Sequence, residues 1–150
     1  MWVPGPPPNS NSTTNPNYAF RIGIKWPRDH MHIHYIVFLG SNLSNQLQTE
    51  SRAKLRVTFT QRDGPRGTVA SAKISLTDPT IHFDEEESWL IGAVGGSVNL
   101  KNVVTQEIGH ILGLAHSQVE KVVMYATFSY GVTKKLAQDD IDGIRAKYST

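Results

Sequence analysis

No cysteine occurs among the 150 residues. Disulfides, thiolate metal ligands and thiol nucleophiles are therefore excluded, and cysteine usage says nothing about redox compartment. Long apolar runs are missing too, since "YIVFLG" and "WLIGAVGG" fall far short of the ~20 residues that cross a bilayer. Neither sign of charge dominates: 15 Lys and Arg against 13 Asp and Glu leave +2, too little to point to nucleic acid or another polyanion. The opening "MWVPGPPPNSNSTTNPN" lacks the basic start and apolar stretch of a signal peptide, and reads as a disordered arm over residues 1–17. On this reading the chain either stays inside the cell or is a fragment or mature form of a longer secreted precursor. Asn11 and Asn42 head glycosylation triplets, which matter only in a secreted chain.

What remains is a globular composition, 39% hydrophobic and 19% charged, sized for one domain with one core. We place that domain at residues 18–150 and expect a monomer. Around His30, His32 and His34 the alternation predicts a strand with the three histidines on one face. Such a face can ligate a metal, and the plainer reading, a solvated face, is preferred. "SNLSNQLQTESRAK" has weak helical periodicity, "LRVTFTQ" alternates as a strand, "RDGPRG" has turn composition, and "TVASAKISL" is a further strand. The first half is mainly sheet.

From Val98 the period changes. Leu100, Val104, Ile108 and Ile111 recur at four and three, which predicts an amphipathic helix to about Leu112, stopped by Gly113. A second helix is predicted in "LAQDDIDGIRAKY", with acids in its first turn and Arg145 and Lys147 in its last. On the first helix Gln106 and His110 are one turn apart and project side by side, with Glu107 close by. Beyond Gly113 the chain can swing His116 back toward the same point. Two imidazoles, an amide and a carboxylate can thus gather around one ion.

"TQEIGHILGLAHS" is the pattern H-E-x-x-H-x-x-G-x-x-H with its first histidine replaced by Gln106. With "IHFDEEESW", "DGPRGTVASA" and "VVMYATFSYG" it resembles the catalytic domain of the matrixins, the matrix metalloproteinases, and their plant members most. The resemblance is strong from about Asp63 to Tyr148 and weaker from Tyr18 to Gln61. It implies an α+β fold of the metzincin type: a twisted mixed sheet, an active-site helix and a C-terminal helix, here lacking one strand and part of the first helix. It also implies zinc-dependent hydrolysis of peptide bonds in extracellular or cell-wall proteins. Glu107 is then the general base, His110 and His116 are zinc ligands, and Met124 forms an apolar turn beneath the metal. Val69 and Ala70 open the strand that pairs with an extended peptide, Asn102 and Tyr130 line its pocket, and Asp63, Asp84 and Glu87 offer oxygens to calcium.

The chain departs from that pattern at several places. Gln106 is a weaker zinc donor than imidazole and should impair activity. The loop that carries a second, structural zinc is missing before "DGP", Ser71 stands at the edge-strand histidine, and His82 alone is left as a remnant. Ala126 replaces the proline after Met-Tyr. The alternative to an impaired protease is an inactive relative that keeps a peptide-binding cleft.

Overall fold

The computed structural model describes residues 2–4, 17–26, 35–39 and 55–149. The three histidines near residue 32, the weak helix read over 41–54 and both glycosylation triplets lie outside the described residues.

Four strands form the main sheet: β3 (Tyr35–Leu39), β4 (Leu55–Thr60), β6 (Thr80–Asp84) and β5 (Ala70–Lys73), in the order β3-β4-β6-β5. β3, β4 and β6 run parallel, and β5 lies antiparallel to β6 with Ala70 opposite Phe83 and Ser71 opposite His82. A mixed sheet of this kind matches the expectation. Among the described residues β5 has one hydrogen-bonded neighbour, so its outer edge keeps backbone groups available for another strand.

α1 spans Leu100–Ile111 and packs its apolar stripe on this sheet around Phe83, Ile81 and Trp26. Burying each such side chain contributes about 1.5–3 kcal/mol. Asn99 caps its N-terminus through a hydrogen bond from the Lys101 N–H. The end is fixed by distant groups. Trp26 Nε1 donates to the Ile111 carbonyl at 2.9 Å, and the Tyr148 hydroxyl donates to the Leu112 carbonyl at 2.9 Å. Gly113, at φ 92, turns the chain as expected of a glycine stop.

After that turn β9 (Leu114–Ala115) pairs with β2 (Ala19–Arg21), which also pairs with β1 (Trp2–Pro4). Three residues of the segment read as an arm are thus in a strand. The short β7 (Trp89–Leu90) and β8 (Val98–Asn99) pair in parallel and lead into α1. α2, Gln138–Tyr148, follows the sequence expectation. Among the described residues no helix is long and apolar enough to cross a membrane.

Candidate metal centre and cleft

α1 buries Gln106, Glu107 and His110 on one flank. The break at Gly113 and the β2–β9 pairing then return His116 to that flank, so that His110 Nε2 and His116 Nε2 stand 3.1 Å apart. His110 Nδ1 donates to the Leu114 carbonyl at 2.9 Å, which leaves the lone pair on Nε2, the nitrogen facing His116. Burial, and to a lesser degree His116 and Arg21, hold His110 down to about 4, so the ring is neutral. His116 is lowered in the same direction, chiefly by burial and secondarily by Arg21.

Two acceptors beside these rings have no donor in the structure: Gln106 Oε1 and Glu107 Oε2, both fully buried. An unsatisfied buried acceptor costs about 1–3 kcal/mol. Burial pushes the Glu107 carboxyl up to about 7, against the smaller opposing pull of Arg21 and Arg62. Gln106 Nε2 donates to the Tyr125 carbonyl at 2.7 Å, which fixes the amide and directs its oxygen away from that bond.

Does this set suit zinc? Two nitrogens on adjacent corners of a tetrahedron with bonds of about 2.0–2.1 Å lie about 3.3 Å apart, close to the 3.1 Å observed. Two neutral imidazoles plus a buried amide oxygen without a donor fit the ion. The third donor is the weak one. Among the described residues no three His, Asp or Glu side chains gather closely enough to hold a metal by themselves.

Met124 packs against α1 at Gly109. Its sulfur lies 2.4 Å from the point a Cβ on Gly109 would occupy, so any larger residue at 109 obliges the Met124 side chain to shift. Ser117 N–H donates to the Met124 carbonyl, and the Val123 and Met124 N–H groups donate to Asp140 at 3.1 Å each. Asp140 also accepts from Ala137 N–H, tying α2 to this turn.

Beside the metal pocket runs a cleft of about 310 Å³ between the start of β5 and the loop after Met124, lined by Arg66, Val69, Ala70, Ala126, Phe128 and Tyr130. Asn102 is not among its lining residues. Its amide instead bonds the Val132 carbonyl at 2.9 Å and the Lys134 N–H at 3.0 Å, holding the loop to α1.

A family model described as Matrixin matches residues 27–149. The chain belongs to the matrixin family. It is 41% identical over 93 residues to Metalloendoproteinase 1 of Glycine max, covering 57% of this chain and 30% of that protein. It is 39% identical over 94 residues to Metalloendoproteinase 2-MMP of Arabidopsis thaliana, covering 57% and 25%. It is 42% identical over 90 residues to Matrilysin of Homo sapiens, covering 57% and 33%. These matches span a quarter to a third of each relative's length.

Membership in the matrixins implies zinc and calcium. Of the three carboxylates expected to take calcium, Asp63 and Glu87 bond the turn at residues 63–68, and Asp84 caps the turn that follows β6. Asp63 accepts from Thr68 N–H and Oγ1, and Glu87 accepts from Arg66 N–H and the Tyr130 hydroxyl. Asp84 is fully buried, with Oδ1 accepting from Glu86 N–H and Oδ2 left without a donor. Among the described residues they do not make a three-carboxylate cluster, and of their oxygens Asp84 Oδ2 is buried without a hydrogen-bond donor.

His82, expected as the remnant of a structural zinc site, is half-buried on β6. Its ring Nδ1 is bonded to Thr58 Oγ1 at 2.8 Å, and burial followed by Arg62, Arg56 and Lys73 pushes it toward neutrality. Arg62 donates to Ser71 Oγ at 2.8 Å and, at 3.4 Å, to the His82 carbonyl, so a guanidinium stands at this corner of the β5–β6 pair.

Four groups escaped the sequence reading: Arg21, Arg62, Arg66 and the Tyr125 carbonyl. None carries a local motif. Arg66 alone gave a faint signal, as the bulky residue inside a "DGPRG" turn.

Proposed function

We propose that this matrixin is a zinc-dependent endopeptidase domain whose turnover is lowered by Gln106. The observation that carries the reading is the convergence of the His110 and His116 Nε2 atoms at the flank of α1 that also buries Glu107. His110, His116 and, weakly, Gln106 would hold the ion. Zinc there supplies Lewis-acid polarisation of the scissile carbonyl.

The chain's own residues do the rest. Glu107, with its carboxyl pushed up to about 7, can take a proton from the attacking water and return it to the leaving amine near neutral pH. The outer edge of β5 pairs with an extended peptide, which presents its bond to the pocket. Asn102 positions the opposite wall through Val132 and Lys134. Substrates are peptide segments of extracellular or cell-wall proteins, a setting supported by the likeness to metalloendoproteinases of plants and to Matrilysin. Calcium is proposed at the turn around Asp63, with Asp84 Oδ2 as its anchoring oxygen. If so, calcium raises the melting temperature, because a ligand of the native state alone stabilises it.

A second reading is favoured by the Gln106–Tyr125 bond, which satisfies the amide nitrogen without any metal: an inactive relative that keeps the peptide cleft. Cleavage of an internally quenched peptide library separates the two. Cleavage abolished by a chelator and by Glu107→Gln is the outcome expected of the protease. Peptide binding without cleavage, unchanged by added zinc, would establish the inactive relative instead.

A further inference from the structure

We propose that Arg66 determines specificity in the cleft, selecting peptides that carry an acidic side chain where they pass the N-terminal end of β5. This rests on reading the cleft as a peptide-binding site.

Arg66 is the only non-glycine residue among those described whose φ is positive, at 69°. A side chain in that region is strained and persists only where its surroundings over-determine it. Here one carboxylate does so twice. Glu87 Oε1 accepts the Arg66 N–H, and Glu87 Oε2 accepts the Tyr130 hydroxyl. The Tyr130 ring in turn lies under the Arg66 guanidinium, 5.5 Å from its centroid. Backbone and side chain of Arg66 are thereby set from the same anchor, against the wall of the cleft.

Stacking engages the flat face of a guanidinium and leaves its N–H edges to donate. Arg66 is exposed, and its guanidinium belongs to none of the ion pairs among the described residues. The other residues lining the cleft, Val69, Ala70, Ala126, Thr127, Phe128 and Tyr130 among them, carry no charge at neutral pH. Selection by charge at this end therefore falls to Arg66, and the chemistry it recognises is a carboxylate, which the planar fork can bind with two parallel hydrogen bonds.

The test uses fluorescein-labelled peptides, identical except for Glu, Gln or Lys scanned along the sequence, titrated against the full chain and followed by anisotropy. The wild type should bind the best-placed Glu peptide about two- to five-fold more tightly than its Gln counterpart, as expected of a partly exposed ion pair. That preference should vanish in Arg66→Gln and at about 1 M salt, where screening acts within about 3 Å, and Arg66→Glu should prefer Lys. Arg66→Gly, which relieves the left-handed backbone, should melt no lower than the wild type and lose the preference. Equal binding of Glu and Gln peptides by the wild type overturns the role of Arg66 while leaving the cleft reading intact. If no peptide binds to a chain that melts cooperatively, the cleft reading fails and this inference with it.

Discussion

Two corners of the molecule that the matrixin resemblance assigns to zinc have changed in opposite ways. At the end of α1, His110 and His116 face one another across 3.1 Å, and Gln106 and Glu107 keep buried oxygens without donors. At the β5–β6 corner, His82 is bonded to Thr58, Ser71 to Arg62, and burial followed by three nearby cations lowers the basicity of the His82 imidazole. The first corner is rich in lone pairs and poor in donors, which suits a cation from outside. The second has a cation of its own. Loss of one ligand leaves a metal pocket recognisable where two imidazoles still face each other, and obscures it where an arginine bonds the groups around the remaining one.

The largest expected effect reverses the first change. Gln106→His should tighten zinc by at least about 10- to 100-fold, read from competition with a chelating dye, and should raise peptide cleavage with it. No change in affinity would separate Gln106 from the ion.

Next in size is the cost of the buried acid in the metal-free chain. Glu107 is held up to about 7 in the fold against an ordinary value of about 4.3. The native state therefore binds more protons than the unfolded one between those values, and stability falls as pH rises through that window. Glu107→Gln should raise the melting temperature by about 5 °C at pH 8, with no gain near pH 4. His110, held down to about 4, acts with the opposite sign: its unfolded form takes up a proton below about 6.5, so stability is lost as pH falls from there toward 4. The variant thus isolates the carboxyl. A gain that persists undiminished at pH 4 would contradict the assignment.

The smallest effect belongs to the other corner. Arg62→Ala removes a hydrogen bond worth about 1 kcal/mol and should lower the melting temperature by about 2–4 °C. Added zinc should not restore it, because among the described residues no cluster of His, Asp or Glu able to hold a metal includes His82. Rescue by zinc would mean that the corner still holds a metal.

Much of this was legible in the chain itself. The stripe from Leu100 to Ile111, the stop at Gly113 and the spacing of Glu107, His110 and His116 are local, and their consequences follow from helical geometry. Met124 was singled out by resemblance alone, while its packing against Gly109 needed coordinates. What stayed hidden depends on groups far apart in sequence. The Tyr125 carbonyl that fixes Gln106 lies 19 residues away, and the Trp26 indole that caps Ile111 lies 85 away. Asn102 was expected in the pocket lining and serves instead to hold the loop that forms a wall. The left-handed conformation of Arg66 has no signature in composition, since a turn of that kind ordinarily takes glycine.

The account stands on one claim, that the corner formed by Gln106, His110 and His116 binds zinc. Equilibrium dialysis of the full chain against buffered free zinc, with metal quantified per chain, tests it directly. The account predicts one zinc per wild-type chain at saturation, at least about ten-fold weaker than in Gln106→His, and none at this site in His110→Ala or His116→Ala. Zinc binding unaffected by removal of either histidine, or no binding even in Gln106→His, would contradict it.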